Sequence, residues 1–299
     1  MVIDAAYAVC LRLARRHYEN FPVASRLVPR EMRPHIAAIY AFARIADDFA
    51  DEGSRSDDAR LALLDDWGRR LHAAAAGEAG DAQDPDVAAV FQALGATIRR
   101  CDLDVRLFDD LLSAFRQDVL VTRYETWEDL LEYCRRSANP VGRLVLSVAG
   151  YRDPRTAAMS DGVCTALQLT NFWQDLDRDW QKGRLYVPAS VVSACGARED
   201  DLGRRRMTPE WQRAMRDLSG RTRGLFERGR PIADAVRGRL RWELRATWLG
   251  GVRVLDGLER CDFDVFRARP SLGWRDAAPI GWAVVTWPVG TWRRQGRTT

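Results

Sequence analysis

The sequence predicts an all-α, single-domain protein, and three observations carry that reading. Nearly every long segment repeats its apolar residues with helical period. No run alternates β-branched residues as a half-buried strand would. No Pro/Gly/Ser-rich linker divides the 299 residues, of which 46% are apolar, enough for one sizeable core.

The elements follow in chain order. Residues 5–18 place Ala8, Val9, Leu11, Leu13 and Ala14 among Arg12, Arg15 and Arg16, a first amphipathic helix. Pro29 and Pro34 bracket a short connection, and Pro34 suits the first turn of the next helix. That helix runs through Ile36, Ile39, Tyr40, Phe42 and Ala43 into an acidic cluster and ends at Gly53. Further helices are predicted over 58–76, 86–100, 105–120, 127–136, 141–149 and 154–180, then near 210–229 and 240–260. Residues 73–85, with Gly77, Gly80 and several acids, read as a loop between helices. Thr126-Trp127-Glu128-Asp129 is an N-terminal cap, and Asn139-Pro140-Val141-Gly142 marks a break or kink.

Composition excludes several classes. The 46 basic residues are interspersed with 42 acidic ones, and Arg204-Arg205-Arg206 is the one tight basic triplet, so no nucleic-acid surface is expected. All the basic residues but Lys182 are arginine, a bias that makes the lysine beside the second acidic cluster conspicuous. Cys10, Cys101, Cys134, Cys164, Cys195 and Cys261 are scattered without Cys-x-x-Cys spacing, and with three histidines a zinc site is not expected; buried free thiols in a reducing compartment are. Asp4 and Arg12 interrupt the apolar core a signal peptide would need, so a cytoplasmic location is expected. No stretch is long enough to span a bilayer. The nearest, residues 280–289, lies between Arg275 and Arg293-Arg294 in a tail (268–299) that reads equally as a packed terminal segment or a contact peripheral to the inner face of the membrane.

Two clusters carry the chemistry. Asp47 and Asp51, and far downstream Asn171, Asp175 and Asp179, recur at a spacing of four, which stacks their oxygens on one helix face. Like charges so placed repel by roughly 0.2–0.5 kcal/mol per pair on an isolated helix. A hard divalent cation offsets this, and Mg2+ characteristically joins one or two carboxylates to substrate phosphates. Three acids on one helix are commonly only a solvated face; the second, three-step ladder is more specific, and Lys182, Arg184 and Tyr186 follow it as candidate diphosphate contacts. Tyr40, Phe42, Phe49, Phe172, Trp173 and Trp180 accompany the clusters, as core or as π faces for a carbocation.

The stretches Tyr40-Ala-Phe-Ala-Arg44-Ile-Ala-Asp47-Asp48-Phe-Ala-Asp51-Glu52, Gln168-Leu-Thr-Asn171-Phe-Trp-Gln174-Asp175-Leu-Asp-Arg-Asp179 and Gly183-Arg184-Leu-Tyr186-Val-Pro188 resemble the squalene/phytoene synthase family of head-to-head prenyl synthases, over about residues 17–266. The resemblance implies an isoprenoid-synthase helical bundle around a central apolar cavity. It implies Mg2+ and diphosphate held by Asp47, Asp51, Asn171, Asp175 and Asp179, with Asp48 of the same acidic motif as a further metal ligand. It further implies a site lined by Arg44, Gln168, Arg184 and Tyr186, and faced by His17, Tyr40 and Tyr133.

Two departures bear on the branch. Many members carry a Ser-x-Ser-type stretch after the histidine and a basic residue before the aspartate, where this chain has Tyr18-Glu19-Asn20-Phe21-Pro22 and Gln174. Fewer phosphate-binding groups suit a site that handles one diphosphate per turnover. The segments 19–25 and 171–175 resemble the hydroxysqualene-forming branch of the bacterial hopanoid pathway. That branch implies presqualene diphosphate as substrate, ionisation, ring opening, capture of the cation by water, and no NADPH. The rivals are a condensing synthase that joins two prenyl diphosphates and a non-catalytic assembly factor of the same fold. Retention of all five expected ligands argues against the latter.

Overall fold

The computed structural model describes residues 2–16, 27–51, 53–78 and 84–287, and among them it is helical throughout, with one isolated β-bridge and no strand. The first seven helices are α1 (Val2–Arg16), α2 (Arg33–Asp51), α3 (Asp57–Ala76), α4 (Pro85–Cys101), α5 (Arg106–Leu120), α6 (Trp127–Ser137) and α7 (Asn139–Val148). They are followed by α8 (Pro154–Gln174), α9 (Leu176–Gln181), α10 (Ala189–Cys195), α11 (Glu199–Gly203), α12 (Pro209–Gly229), α13 (Ile232–Ala235), α14 (Gly238–Arg260) and α15 (Trp274–Val285).

Local chemistry sets many of the boundaries. Asp84, Asp153 and Thr208 each cap a helix through a side-chain oxygen, and in each case the next residue is the proline that begins it. Thr126 and Asp129 form the expected reciprocal box, with the Asp129 amide donating to Thr126 Oγ1 at 3.1 Å and the Thr126 amide donating to Asp129 at 3.0 Å. The break before Pro140 lies at Ala138, and α7 resumes at Asn139 with Pro140 in its first turn, two residues earlier than predicted. The predicted helix over 154–180 divides at Asp175 (φ −99°, ψ 12°) into α8 and α9. The Asp175 and Asp179 amides still donate to the Asn171 and Asp175 carbonyls, both at 2.8 Å, so the ladder continues across the bend. No glycine or proline marks that bend; it coincides with a contact to Arg269, which no local pattern carries.

Apolar burial forms two clusters. Helices α1 to α5 bury Phe42, Trp67, Phe91 and Phe108. The later helices bury Trp173, Trp211, Phe226 and Trp248. Between them α2, α5, α6, α7, α8 and α14 wall a cavity of about 1450 Å3, the central cavity the resemblance implied. The segment beyond residue 267 is packed onto the domain as far as it is described: α15 lies on α14, the Trp287 ring meets Trp248 at 5.3 Å between centroids, and Arg245 donates to the Val284 carbonyl at 3.3 Å. Residues 288–299, with Arg293 and Arg294, lie outside the described residues. All six cysteines are free; Cys10 and Cys134 are buried and the other four only partly so.

Close approach of α8 and α12 fixes the helix that carries the second ladder. A Cβ on Gly229 would lie 2.6 Å from Val163 Cγ2 and 2.7 Å from its backbone nitrogen. Gly229→Ala must therefore push the helices apart, an overpacking worth roughly 1–3 kcal/mol. Urea unfolding of the variant should show that loss, and an unchanged midpoint would mean that the contact relaxes freely.

Candidate active site

Helix geometry delivers the first group of side chains. Tyr40, Arg44, Asp47 and Asp51 step along one face of α2, and all four line the cavity. From α8, Cys164, Gln168, Asn171 and Asp175 do the same, and Asp179 of α9 continues the row. The loop after α9 completes the polar wall. Its Leu185 amide donates to the Thr122 carbonyl at 2.9 Å, and Arg123 Nη1 donates to the Gly183 carbonyl at 2.7 Å. Those bonds hold Lys182, Arg184 and Tyr186 at the cavity.

Ion pairs then join the two acidic rows. Arg184 Nη1 lies 2.7 Å from Asp51, and its Nη2 donates to the Asp118 backbone carbonyl at 3.0 Å. Lys182 reaches Asp51 at 3.8 Å. Asp175 takes two hydrogen bonds from Arg269, at 2.6 and 3.0 Å. Arg44 pairs with Asp48 at 2.5 Å and Asp47 at 3.5 Å. Asp48 itself is not part of the cavity wall; its carboxylate meets Arg44 beside it.

Crowding shows in the acid–base behaviour. Burial, and then the neighbouring Asp51, pushes Asp47 up to about 6. Burial, then Asp175, pushes Asp179 up to about 7. Burial also raises Asp118 to about 7, opposed by the hydrogen bond that Tyr133 donates to its Oδ2 at 2.9 Å. Burial holds Arg184 back, but Asp51, Tyr186 and Asp118 together move it above the ordinary arginine value, so it stays charged.

The aromatic residues sort cleanly. Tyr40 and Phe172 face the cavity, with Tyr133 and Tyr186; the Phe172 and Tyr186 rings stack at 3.7 Å, 5° from parallel. Phe42 and Trp173 are fully buried core, and the Trp173 indole donates to Thr222 at 3.0 Å. Phe49 packs edge-on against Trp67, and Trp180 lies under Arg123.

Every site residue expected from the sequence lines the cavity except Asp48 and His17, and His17 lies outside the described residues. Two residues escaped the sequence reading. Asp118 stands on the apolar stripe of α5 with Leu111 and Phe115, and an acid on such a stripe was the available signal. Arg269 had none, because it reaches Asp175 across 94 residues of chain. It also alters the weight of Gln174. That side chain donates to the Pro270 carbonyl and tethers the Arg269 segment, so a cation stands beside Asp175 although position 174 is not basic.

The donor set is all hard oxygen: Asp47 and Asp51 from one side, Asn171, Asp175 and Asp179 from the other. Among the described residues no three His, Cys, Asp or Glu side chains converge closely enough to hold an ion as a cage. Oxygen donors suit a hard cation such as Mg2+, which takes few carboxylates and fills its remaining positions with phosphate and water.

Known proteins share this architecture. A family model described as squalene/phytoene synthase matches residues 14–276. The chain is 40% identical over 222 residues to a hydroxysqualene synthase of Zymomonas mobilis, covering 73% of this chain and 71% of that protein. It is 32% identical over 281 residues to a 15-cis-phytoene synthase of Synechococcus elongatus, covering 89% of this chain and 88% of that one. The crystal structure of squalene synthase HpnC from Alicyclobacillus acidocaldarius superposes with a TM-score of 0.80 at 42% identity, over 87% of this chain and 95% of that one. A dehydrosqualene synthase structure superposes at 0.83 over 95% and 97%, and at 21% identity it shows likeness of fold alone.

Asp47 gives a pH-dependent test. Its folded value, about 6, lies above the unfolded one of about 3.9, so protonation stabilises the fold fully below that lower value, and the stabilisation is lost as pH rises through 6. Asp47→Asn mimics the protonated form. In chelator it should melt higher than the parent at pH 8 and alike at pH 4, the gain being about 1 kcal/mol or less because the side chain is 41% exposed and screened. Equal melting at pH 8 would mean that the carboxylate is not crowded.

Proposed function

We propose that this chain, which belongs to the squalene/phytoene synthase family, converts presqualene diphosphate and water to hydroxysqualene and diphosphate with Mg2+. The observation that carries the reading is a cavity of about 1450 Å3 whose polar wall joins two oxygen ladders to Lys182 and Arg184, with Arg269 paired to Asp175, while its remaining lining is largely apolar. Relatives named hydroxysqualene synthase, at 40% and 38% identity, support the choice among the family's reactions.

In this reading Arg184, Lys182 and Arg269 bind and orient the diphosphate, with Arg44 behind them. Magnesium, when bound between the ladders, neutralises charge on the leaving group. The carbon–oxygen bond breaks with its electron pair leaving on diphosphate. The cyclopropylcarbinyl cation opens, water forms the new carbon–oxygen bond, and one proton is released. The apolar walls from α5, α7 and α14 keep other water from the cation, and the faces of Tyr133, Phe172 and Tyr186 stabilise it by cation–π attraction. No NADPH takes part. The expected setting is the cytoplasm.

The alternative is a condensing synthase that makes presqualene diphosphate, squalene or phytoene from two prenyl diphosphates. Similarity to a phytoene synthase over 89% of the chain favours it, as does the cation that Arg269 supplies beside Gln174.

Product analysis by mass spectrometry decides between them. Purified protein with Mg2+ should form hydroxysqualene from presqualene diphosphate, independently of NADPH; a C30 or C40 product made directly from farnesyl or geranylgeranyl diphosphate would establish condensation. Asp175→Asn should lower kcat by about 10²-fold or more if charge development is stabilised through it, with little change in melting temperature. Normal turnover per folded molecule would make Asp175 structural. Arg184→Ala should raise KM about ten- to a hundred-fold, the value of a charged hydrogen bond; an unchanged KM would remove Arg184 from the site.

A further inference from the structure

Helix α15 has one face fixed and one face bare. Val284 is buried, Trp287 packs on Trp248, and Asp276 is held by Arg253 and by the Gly273 amide at 2.8 Å. Outward, Trp274 is 82% exposed, Trp282 72% and Val285 66%. With Ala278, also exposed, these three form one stripe along the helix. The other exposed positions on the helix are Arg275, Ala277, Pro279 and Gly281, so its outward surface carries a single charge, which lies over the Trp274 ring at 5.2 Å.

We propose that α15 is an interfacial helix that seats the rim of the cavity on a phospholipid bilayer. Three observations favour lipid as the occupant. The apolar stripe is continuous with the cavity, because Leu272, two residues before Trp274, lines the cavity wall and is itself 47% exposed. The charges beside it suit phosphate headgroups: Arg260 borders Leu272 in a depression of about 240 Å3, Arg275 is exposed, and the one acid lining that depression, Asp276, is neutralised by Arg253. Paired indoles beside arginines are the side chains that favour the headgroup boundary. Twelve residues are too few to span the membrane, and among the described residues no helix is long and apolar enough to do so. Docked in this way, the rim lets a long hydrocarbon chain pass between cavity and bilayer without exposing its surface to water.

The inference draws on the proposed reaction only for the lipidic nature of the cavity's contents, and its test needs no substrate. The probe is flotation with phosphatidylcholine vesicles containing phosphatidylglycerol, compared between the parent and a Trp274→Ser, Trp282→Ser double variant. The parent should float, and the variant should partition about 100-fold more weakly, roughly tenfold per indole withdrawn from the interface. Bromine-labelled acyl chains should quench the parent's tryptophan fluorescence more than the variant's. Melting temperatures should coincide because both rings face solvent, and product formation from detergent-dispersed substrate should persist. A parent that does not float, or a variant that floats and is quenched equally, overturns the proposal. Concentration-dependent self-association that the variant abolishes, without flotation of the parent, also overturns it and assigns the face to a second copy of the chain. If the parent floats but makes no hydroxysqualene, the proposed reaction fails and the docking helix stands.

Discussion

The Arg184 guanidinium holds the site together. One nitrogen pairs with Asp51 on α2 and the other takes the Asp118 carbonyl on α5, while its own loop descends from α9, which carries Asp179. Without a cation there, α2 and α9 would present like charges to each other across the cavity, where partly buried charges are screened less than on an open surface. The loop is itself held to the segment before α6 by backbone hydrogen bonds, so the guanidinium is placed by the scaffold and is not a mobile counterion. In the proposed function this same residue binds the diphosphate, and the scaffold has already placed it at the cavity.

How much of this was legible follows from the range of each interaction. The α2 and α8 faces are local periodicities, and a spacing of four was enough to place Asp47, Asp51, Asn171 and Asp175 on common faces. The cap at Thr126 was equally local and was read; those at Asp153 and Thr208, each followed by proline, were as local but were not. The bend at Asp175 and the pairing with Arg269 depend on residues 94 positions apart, and no helical period encodes such a contact. Asp118 lies between these cases. Its position on an apolar stripe was visible, but the reason an acid is tolerated there, a hydrogen bond from Tyr133 and the nearby Arg184, exists only in three dimensions. The short helices α10, α11 and α13 were missed because a few residues cannot establish a period.

The Gln174 tether shows how a single side chain connects site and surface. By binding the Pro270 carbonyl it fixes the segment that carries Arg269 to Asp175, Leu272 to the cavity rim and, directly after, α15 to the outside.

Charge also constrains what this cavity can accept. The cavity wall carries Asp47, Asp51, Asp118, Asp175, Asp179 and Glu243 against Arg44, Lys182 and Arg184, with Arg269 on Asp175, so acids outnumber bases, although burial leaves Asp118 and Asp179 partly protonated near neutrality. A diphosphate entering alone would add its own negative charge to that excess. In the proposed function, divalent cations held by these carboxylates would offset that excess. Proton release and diphosphate binding would then be linked through the metal proposed above. Under that proposal the crowded carboxyls, unfavourable to one another, would favour an anion that arrives with its cations.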